Sequence, residues 1–173
     1  MNKLTAITLS LIIILLFSFL ALPAYINLPD NGYGTPSPEW DEALTWLRCN
    51  TPEGTKILTW WDYGYWIRFT ACRVPLVTPS QEAYVKVVAG YLVSHENPSP
   101  PGDTAYVIID KNIAGKYMPA ILGWAGKTRE QIHFTYTLAY RLFSSPDSVS
   151  GYHLVFDNSV KIFKYSNPEG KPK

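Results

Sequence analysis

Cysteine and net charge are what this chain has least of. Its 173 residues include only two cysteines. Two thiols cannot build a disulfide-stapled scaffold or a four-thiolate zinc site. Lys and Arg number 15 against 14 Asp and Glu, a formal net charge of +1. A protein that neutralises nucleic-acid phosphates needs a basic excess, so nucleic acid is not an expected partner. Histidine is scarce too: His95, His133 and His153 are scattered along the chain and read as surface or packed residues rather than ligands. No Asp-X-Asp occurs, no two carboxylates form a recognisable metal pattern, and there is no internal repeat or low-complexity tract. Apolar residues, by contrast, make up 47% and aromatics 14%. That is enough for a core and too much for wholesale disorder.

The apolar residues are unevenly spread. Positions 4–29 carry no charged side chain, and 4–22 give 19 residues before the first proline. A helix needs roughly 20 to cross the hydrocarbon core. A cleaved signal peptide is the competing reading, with Lys3 as its basic region and Ala21-Leu22-Pro23-Ala24 as its cleavage site. Its apolar core is normally shorter, roughly 7–15 residues. The expectation is therefore a transmembrane helix within 1–29 and a globular domain over 30–173. Lys3 on the cytoplasmic side would place that domain outside, by the positive-inside rule.

Within 30–173 the sequence alternates strands with helices, so the fold class is mixed α/β. After a turn-rich linker, Ser37 caps a helix whose buried face is Trp40, Ala43, Leu44 and Leu47. Residues 56–60 (KILTW) read as a strand, and 73–78 as a second strand that Pro75 confines to a sheet edge. A helix capped by Ser80 is expected to bury Tyr84, Val87, Val88, Tyr91 and Leu92. Residues 104–110 (TAYVIID) form a buried strand by composition. Helices are expected over 115–124 and 128–143, and 152–156 with 160–165 form a closing hairpin.

The informative feature is Trp60-Trp61-Asp62-Tyr63-Gly64-Tyr65-Trp66, five aromatics and one carboxylate in seven residues. Such a run can be a core cluster with a capping acid. Three details favour a site. Alternation along an extended chain sends Trp60 and Trp61 to opposite sides, so one is expected to be exposed. Asp62 follows a strand, where site residues gather in α/β folds. Gly64 permits a tight turn after the acid. An indole N–H, a carboxylate and turn amides can together hold a hydroxyl.

These residues resemble a known family. WWDYG at 60–64 is the signature of the catalytic subunit of oligosaccharyltransferases, and Tyr65-Trp66-Ile67 continues its archaeal form. The preceding helix, 43–52 (ALTWLRCNTP), is similar to the family's own. Downstream, Asp110-Lys111-Asn112-Ile113-Ala114-Gly115-Lys116 resembles the archaeal motif of an Asp followed by a helix bearing an aliphatic residue and a Lys. Asp110, Ile113 and Lys116 take those roles, with Met118 as the alternative aliphatic. The likeness is good over 38–121 and architectural beyond it. It breaks at 78–82 (TPSQE), where archaeal relatives carry an Asp/Asn-rich segment.

The resemblance implies the recognition of acceptor polypeptides bearing Asn-X-Ser/Thr, for transfer of a lipid-linked oligosaccharide to the Asn at a cell membrane. Trp60, Trp61 and Asp62 would receive the Ser or Thr hydroxyl, supported by Tyr63, Gly64 and Asp110. Ile113 would touch the Thr methyl, worth about 0.8 kcal/mol, and Lys116 would lie beside it. The family implies a divalent cation, Mn or Mg, whose ligands and catalytic carboxylates sit in loops of the transmembrane region. None of those loops is recognisable here, so no catalytic residue is assigned and this chain alone is expected to be inactive. It reads as the C-terminal portion of a larger enzyme. The rival class is an exported carbohydrate-binding or glycoside-hydrolysing domain, with Asp62 and Asp110 as acid and base. Asn97-Pro98-Ser99 is disqualified as an acceptor by its proline. An external location permits a Cys49–Cys72 disulfide, with buried free thiols the other reading.

Overall fold

A computed structural model of the protein describes residues 34–168. The expected membrane helix falls outside them. Among the described residues no helix is long and apolar enough to cross a membrane. The fold below is that of the unit Pro36–Lys173.

Five strands form one sheet. They are β1 (Lys56–Leu58), β2 (Val74–Pro75), β3 (Tyr106–Asp110), β4 (Tyr152–Asp157) and β5 (Val160–Tyr165), in the order β2-β1-β3-β5-β4. β1 pairs in parallel with β2 and β3, whereas β5 runs antiparallel to both β3 and β4. A strand flanked on both edges and covered on both faces needs a continuous apolar run rather than an alternating one. The central β3 has that run, and all five of its residues are buried. β2 is the edge, as Pro75 requires. The β4–β5 hairpin is where the sequence places it, with a bulge between Leu154 and Phe156.

Five α-helices cover the sheet: α1 (Pro38–Asn50), α2 (Gly64–Phe69), α3 (Glu82–Leu92), α4 (Met118–Trp124) and α5 (Leu138–Ser144). α1 starts at Ser37, whose Oγ accepts from the Trp40 amide at 3.5 Å. Glu39 and Asp41 in its first turn and Arg48 in its last suit the helix dipole. Trp40, Ala43, Leu44 and Leu47 are its buried face, as expected. The buried Arg73 closes its far end. Arg73 Nη2 donates to the Arg48 carbonyl at 2.7 Å, and Nε to Thr51 Oγ1 at 2.7 Å. A second contact from Nη2 reaches the Thr51 carbonyl. The guanidinium thus occupies carbonyls that a helix end leaves without partners.

Three expectations need correction. α3 begins at Glu82 with no side-chain cap, and Ser80 Oγ instead lies 3.1 Å from Thr78 Oγ1. Its buried face is Val85, Val88, Ala89, Tyr91 and Leu92, while Tyr84 and Val87 are half-exposed. The helix is apolar nearly all round, so two phases compete. The one chosen buries the small and branched residues at i, i+3, i+4 and i+7 and lets the Tyr91 hydroxyl meet that of Tyr152 at 2.6 Å. Residues 128–143 are not one helix. They form a turn, a 3-10 segment (Phe134–Tyr136) and then α5, capped by Thr137. The β-branched and aromatic run 132–137 resists helix, and Thr137 captures the Tyr140 amide at 3.3 Å. Finally, the helix expected over 115–124 starts with a π-turn (Asn112–Lys116) before α4.

Cys49 and Cys72 are both exposed free thiols, not buried and not bridged.

Candidate functional site

The WWDYG run leaves β1 through Thr59 and Trp60 and coils into a 3-10 turn (Trp61–Tyr63) that feeds α2. The turn closes where the Tyr63 amide donates to the Trp60 carbonyl at 3.1 Å. The two tryptophans differ in burial, but neither is exposed as alternation predicts, because Trp61 already belongs to the 3-10 turn. Trp60 is core, at 2% exposure, whereas Trp61 is only partly buried, with its ring 6.0 Å from that of Trp60.

Trp61 Nε1 is buried and has no hydrogen-bond partner among the described residues. An unmet buried donor costs about 1–3 kcal/mol. The next residue carries the complementary deficit. Asp62 is half-buried, and burial holds its carboxyl above the ordinary 3.8. A donor without an acceptor and a poorly solvated carboxylate thus share one 3-10 turn. A hydroxyl, which both donates and accepts, satisfies the two together. Thr59 Oγ1, just upstream, is also buried and unpartnered.

Asp110 has a different part. It is 2% exposed at the end of β3. Its Oδ2 accepts from Trp40 Nε1 at 3.1 Å and from the Tyr63 hydroxyl at 2.8 Å. Its Oδ1 accepts from the Ile113 amide at 2.8 Å, and Asn112 Nδ2 stands 3.4 Å from Oδ2. One carboxylate therefore ties α1, the WWDYG turn and the π-turn together. The Tyr63 hydroxyl is held well above the usual phenol range, first by burial and then by the Asp110 charge. With its oxygens so engaged, Asp110 is not available as the acid or base partner of Asp62.

Tyr63 lies within an aromatic stack. Its ring is 4.3 Å from Trp40 and 5.2 Å from Trp66. Tyr117, which follows the π-turn, is 6.3 Å away. Ile113 is wholly buried, and Lys116 is exposed with Nζ 5.8 Å from the Tyr117 ring centre.

Gly64 is needed for a reason other than the expected one. Its φ of −56° is ordinary for a right-handed helix. What no other residue could share is the space. A Cβ there would sit 2.3 Å from the Val77 carbonyl oxygen and 3.1 Å from Thr78 Cα. Glycine lets α2 start in backbone contact with the segment after β2.

Sequence reasoning missed Trp40 as a partner of Asp110. It noted Trp40 only as a buried helix position, and nothing in the spacing points across 70 residues. It also missed a groove of about 400 Å³ beside the π-turn, lined by Gly115, Met118, Pro119 and Leu122 on one side. Arg129, Ile132, His133 and Phe134 line the other. Among the described residues no three His, Cys, Asp or Glu side chains group so as to hold a metal ion.

No family model matches the chain. The chain is 32% identical over 88 residues to an Archaeoglobus fulgidus dolichyl-phosphooligosaccharide-protein glycotransferase, covering 34% of this chain and 10% of that protein. It is 37% identical over 76 residues to the stt3 glycosyltransferase subunit of Schizosaccharomyces pombe, covering 43% of this chain and 9% of that protein. The chain thus matches about a tenth of the length of these curated relatives. The crystal structure of the C-terminal globular domain of an Archaeoglobus fulgidus oligosaccharyltransferase superposes with a TM-score of 0.65 at 22% identity, covering 77% of this chain and 100% of that domain. A longer Archaeoglobus fulgidus oligosaccharyltransferase also superposes on 72% of this chain at 18–19% identity. It has been solved with zinc and sulfate (TM-score 0.59, 26% of its length). It has also been solved tethered to an acceptor peptide containing an Asn-Val-Thr sequon (TM-score 0.53, 24% of its length). A third structure, from the same organism, holds an inhibitory peptide and a dolichol-phosphate (TM-score 0.52).

The fold is that of the C-terminal globular domain of an Archaeoglobus fulgidus oligosaccharyltransferase. In sequence, the chain is similar over part of its length to dolichyl-linked oligosaccharide–protein glycosyltransferases of archaea and yeast.

Proposed function

We propose that this chain is the acceptor-reading domain of an oligosaccharyltransferase, which recognises Asn-X-Ser/Thr and acts within a longer membrane enzyme. One observation carries the reading: a single 3-10 turn holds Trp61, whose buried indole N–H has no partner among the described residues, and Asp62, whose carboxyl is held up by burial. The Ser or Thr hydroxyl of the sequon donates to Asp62 and accepts from Trp61, while Trp60 fixes the turn from the core. A site built for a hydroxyl rejects a ligand without one, because its own polar groups then stay unpaired. Tyr63, Gly64 and Asp110 hold the turn in place. Ile113, expected to touch the Thr methyl, is wholly buried and joins the frame through its amide's bond to Asp110, and Lys116 is exposed beside Tyr117.

The remaining parts of the reading concern the longer protein. Residues 1–29 carry the membrane helix, and 30–173 lie on the extracytoplasmic side. The oligosaccharide arrives on a lipid carrier, as the relative's dolichol-phosphate complex suggests. A divalent cation, Mn or Mg, serves the reaction. On this reading its ligands belong to the membrane region, together with the carboxylates that engage the acceptor amide.

Titrating the full chain with Asn-X-Thr and Asn-X-Ala peptides tests the proposal. The Thr peptide is expected to bind about ten-fold more tightly, and Asp62→Ala to erase the difference. Equal binding of both peptides by the unaltered chain refutes it.

A further inference from the structure

The groove beside the π-turn has no part in reading the hydroxyl, yet it is coupled to the turn that does. Its floor is Met118 and Leu122, both buried. Arg129 and His133 stand exposed on the opposite lip. Tyr117, the residue before Met118, lies against Tyr63, the residue after Asp62. Asp110 holds both Tyr63 and the Ile113 amide. The groove wall and the Trp61–Asp62 turn are thus tied into one frame through Tyr117, Tyr63 and Asp110.

Resting on the acceptor reading above, we infer that this groove is a second acceptor subsite. It takes one aromatic or long aliphatic side chain flanking the sequon, with an acidic neighbour on the same peptide. Three observations select this occupant. The volume of about 400 Å³ lies at the low end for a ligand pocket, the size for a side chain rather than a folded partner. The floor is aliphatic, and Phe134 on the lip is 45% exposed despite its size. The charge of the surrounding segments is unbalanced: Lys116, Lys127 and Arg129 stand exposed against the single acid Glu130. A carboxylate next to the inserted side chain meets that surplus.

Gly115 makes the inference testable. It lines the groove, and a Cβ added there would meet nothing within 4 Å, so this position accepts a side chain without displacing the protein. The full chain is titrated with Asn-X-Thr peptides in which a Phe-Asp pair is moved through the positions on either side of the sequon, against Gly-Ser flanks. One register is expected to bind about ten-fold or more tightly than the control. Gly115→Leu should abolish that gain while the preference for Thr over Ala persists. Arg129→Gln, on an exposed side chain, should remove only the part due to the acid. If Thr is preferred over Ala but no register gains, the subsite is refuted and the acceptor reading stands. A gain that survives Gly115→Leu also refutes it. If Thr and Ala peptides bind alike, the acceptor reading itself fails and the subsite with it.

Discussion

The Tyr63 hydroxyl donates to the Asp110 carboxylate at 2.8 Å, across 47 positions of sequence. That bond fastens the WWDYG turn to the end of the central strand. Because the same carboxylate receives Trp40 and the Ile113 amide, the geometry of the turn depends on a residue that faces away from solvent.

Asp110→Ala should therefore cost roughly 3–5 kcal/mol, since it leaves three buried donors without an acceptor. Tyr63→Phe keeps the ring stack and should cost only about 1 kcal/mol. Urea unfolding of the two variants measures the contrast. Similar small losses would show that Asp110 is not the hub described.

Gly64→Ala is expected to destabilise by about 1–3 kcal/mol. Its methyl group would collide with the Val77 carbonyl oxygen, which is backbone and cannot rotate aside. Because φ at Gly64 is ordinary, a helix-favouring residue would help if space were not the reason. A raised melting temperature in Gly64→Ala would contradict the account.

Arg73→Met keeps an apolar stem but abandons the carbonyls of Arg48 and Thr51. The loss should be about 2–4 kcal/mol. Arg73→Lys should recover little, because one ammonium cannot follow the guanidinium fork. Thermal unfolding of the pair provides the check.

The Asp62 carboxyl titrates above 3.8 because burial disfavours its charge. In the fold this opposes stability at neutral pH, and the penalty fades as pH falls through the raised pKa. Peptide binding has the opposite sign. The ionised carboxylate is the acceptor, so the advantage of Asn-X-Thr over Asn-X-Ala should fade on acidification, at a higher pH than an ordinary aspartate would give. Asp62→Asn should make the ratio flat with pH. NMR titration of both peptides from neutral to mildly acidic pH reads this directly.

Much of the fold is legible in the sequence because its cues are local. Ser37-Pro38 with a 3.6-residue apolar period defines α1, and the continuous YVIID run defines β3. Failures came where local cues were degenerate. α3 is apolar on two faces, so only its neighbours choose between Val85 and Tyr84. In 128–143 an apolar spacing compatible with helix overlies residues that resist it. At the site, the chemical types at 60–62 were readable, but the alternation rule did not hold: Trp61 lies in a 3-10 turn with its ring 6.0 Å from that of Trp60, and neither tryptophan is exposed. The long-range relations were not readable. Trp40 to Asp110 and Gly64 to Val77 depend on tertiary packing, and no spacing encodes them. Gly64 shows the limit well: the residue was rightly singled out, but for backbone freedom rather than for lack of volume.

If the chain reads acceptors as proposed, the short edge strand β2 has a bearing on them that goes beyond stability. A polypeptide awaiting modification is extended and has its amides and carbonyls to spare. Next to a long open sheet edge it would anneal as another strand whatever its sequence. β2 offers two residues, one of them a proline without an N–H, and the opposite edge strand β4 is bulged. Neither edge gives an incoming chain much of a ladder. Passing polypeptides are thus not retained by backbone pairing. Discrimination is left to side chains, and a segment that lacks the right ones is free to move on.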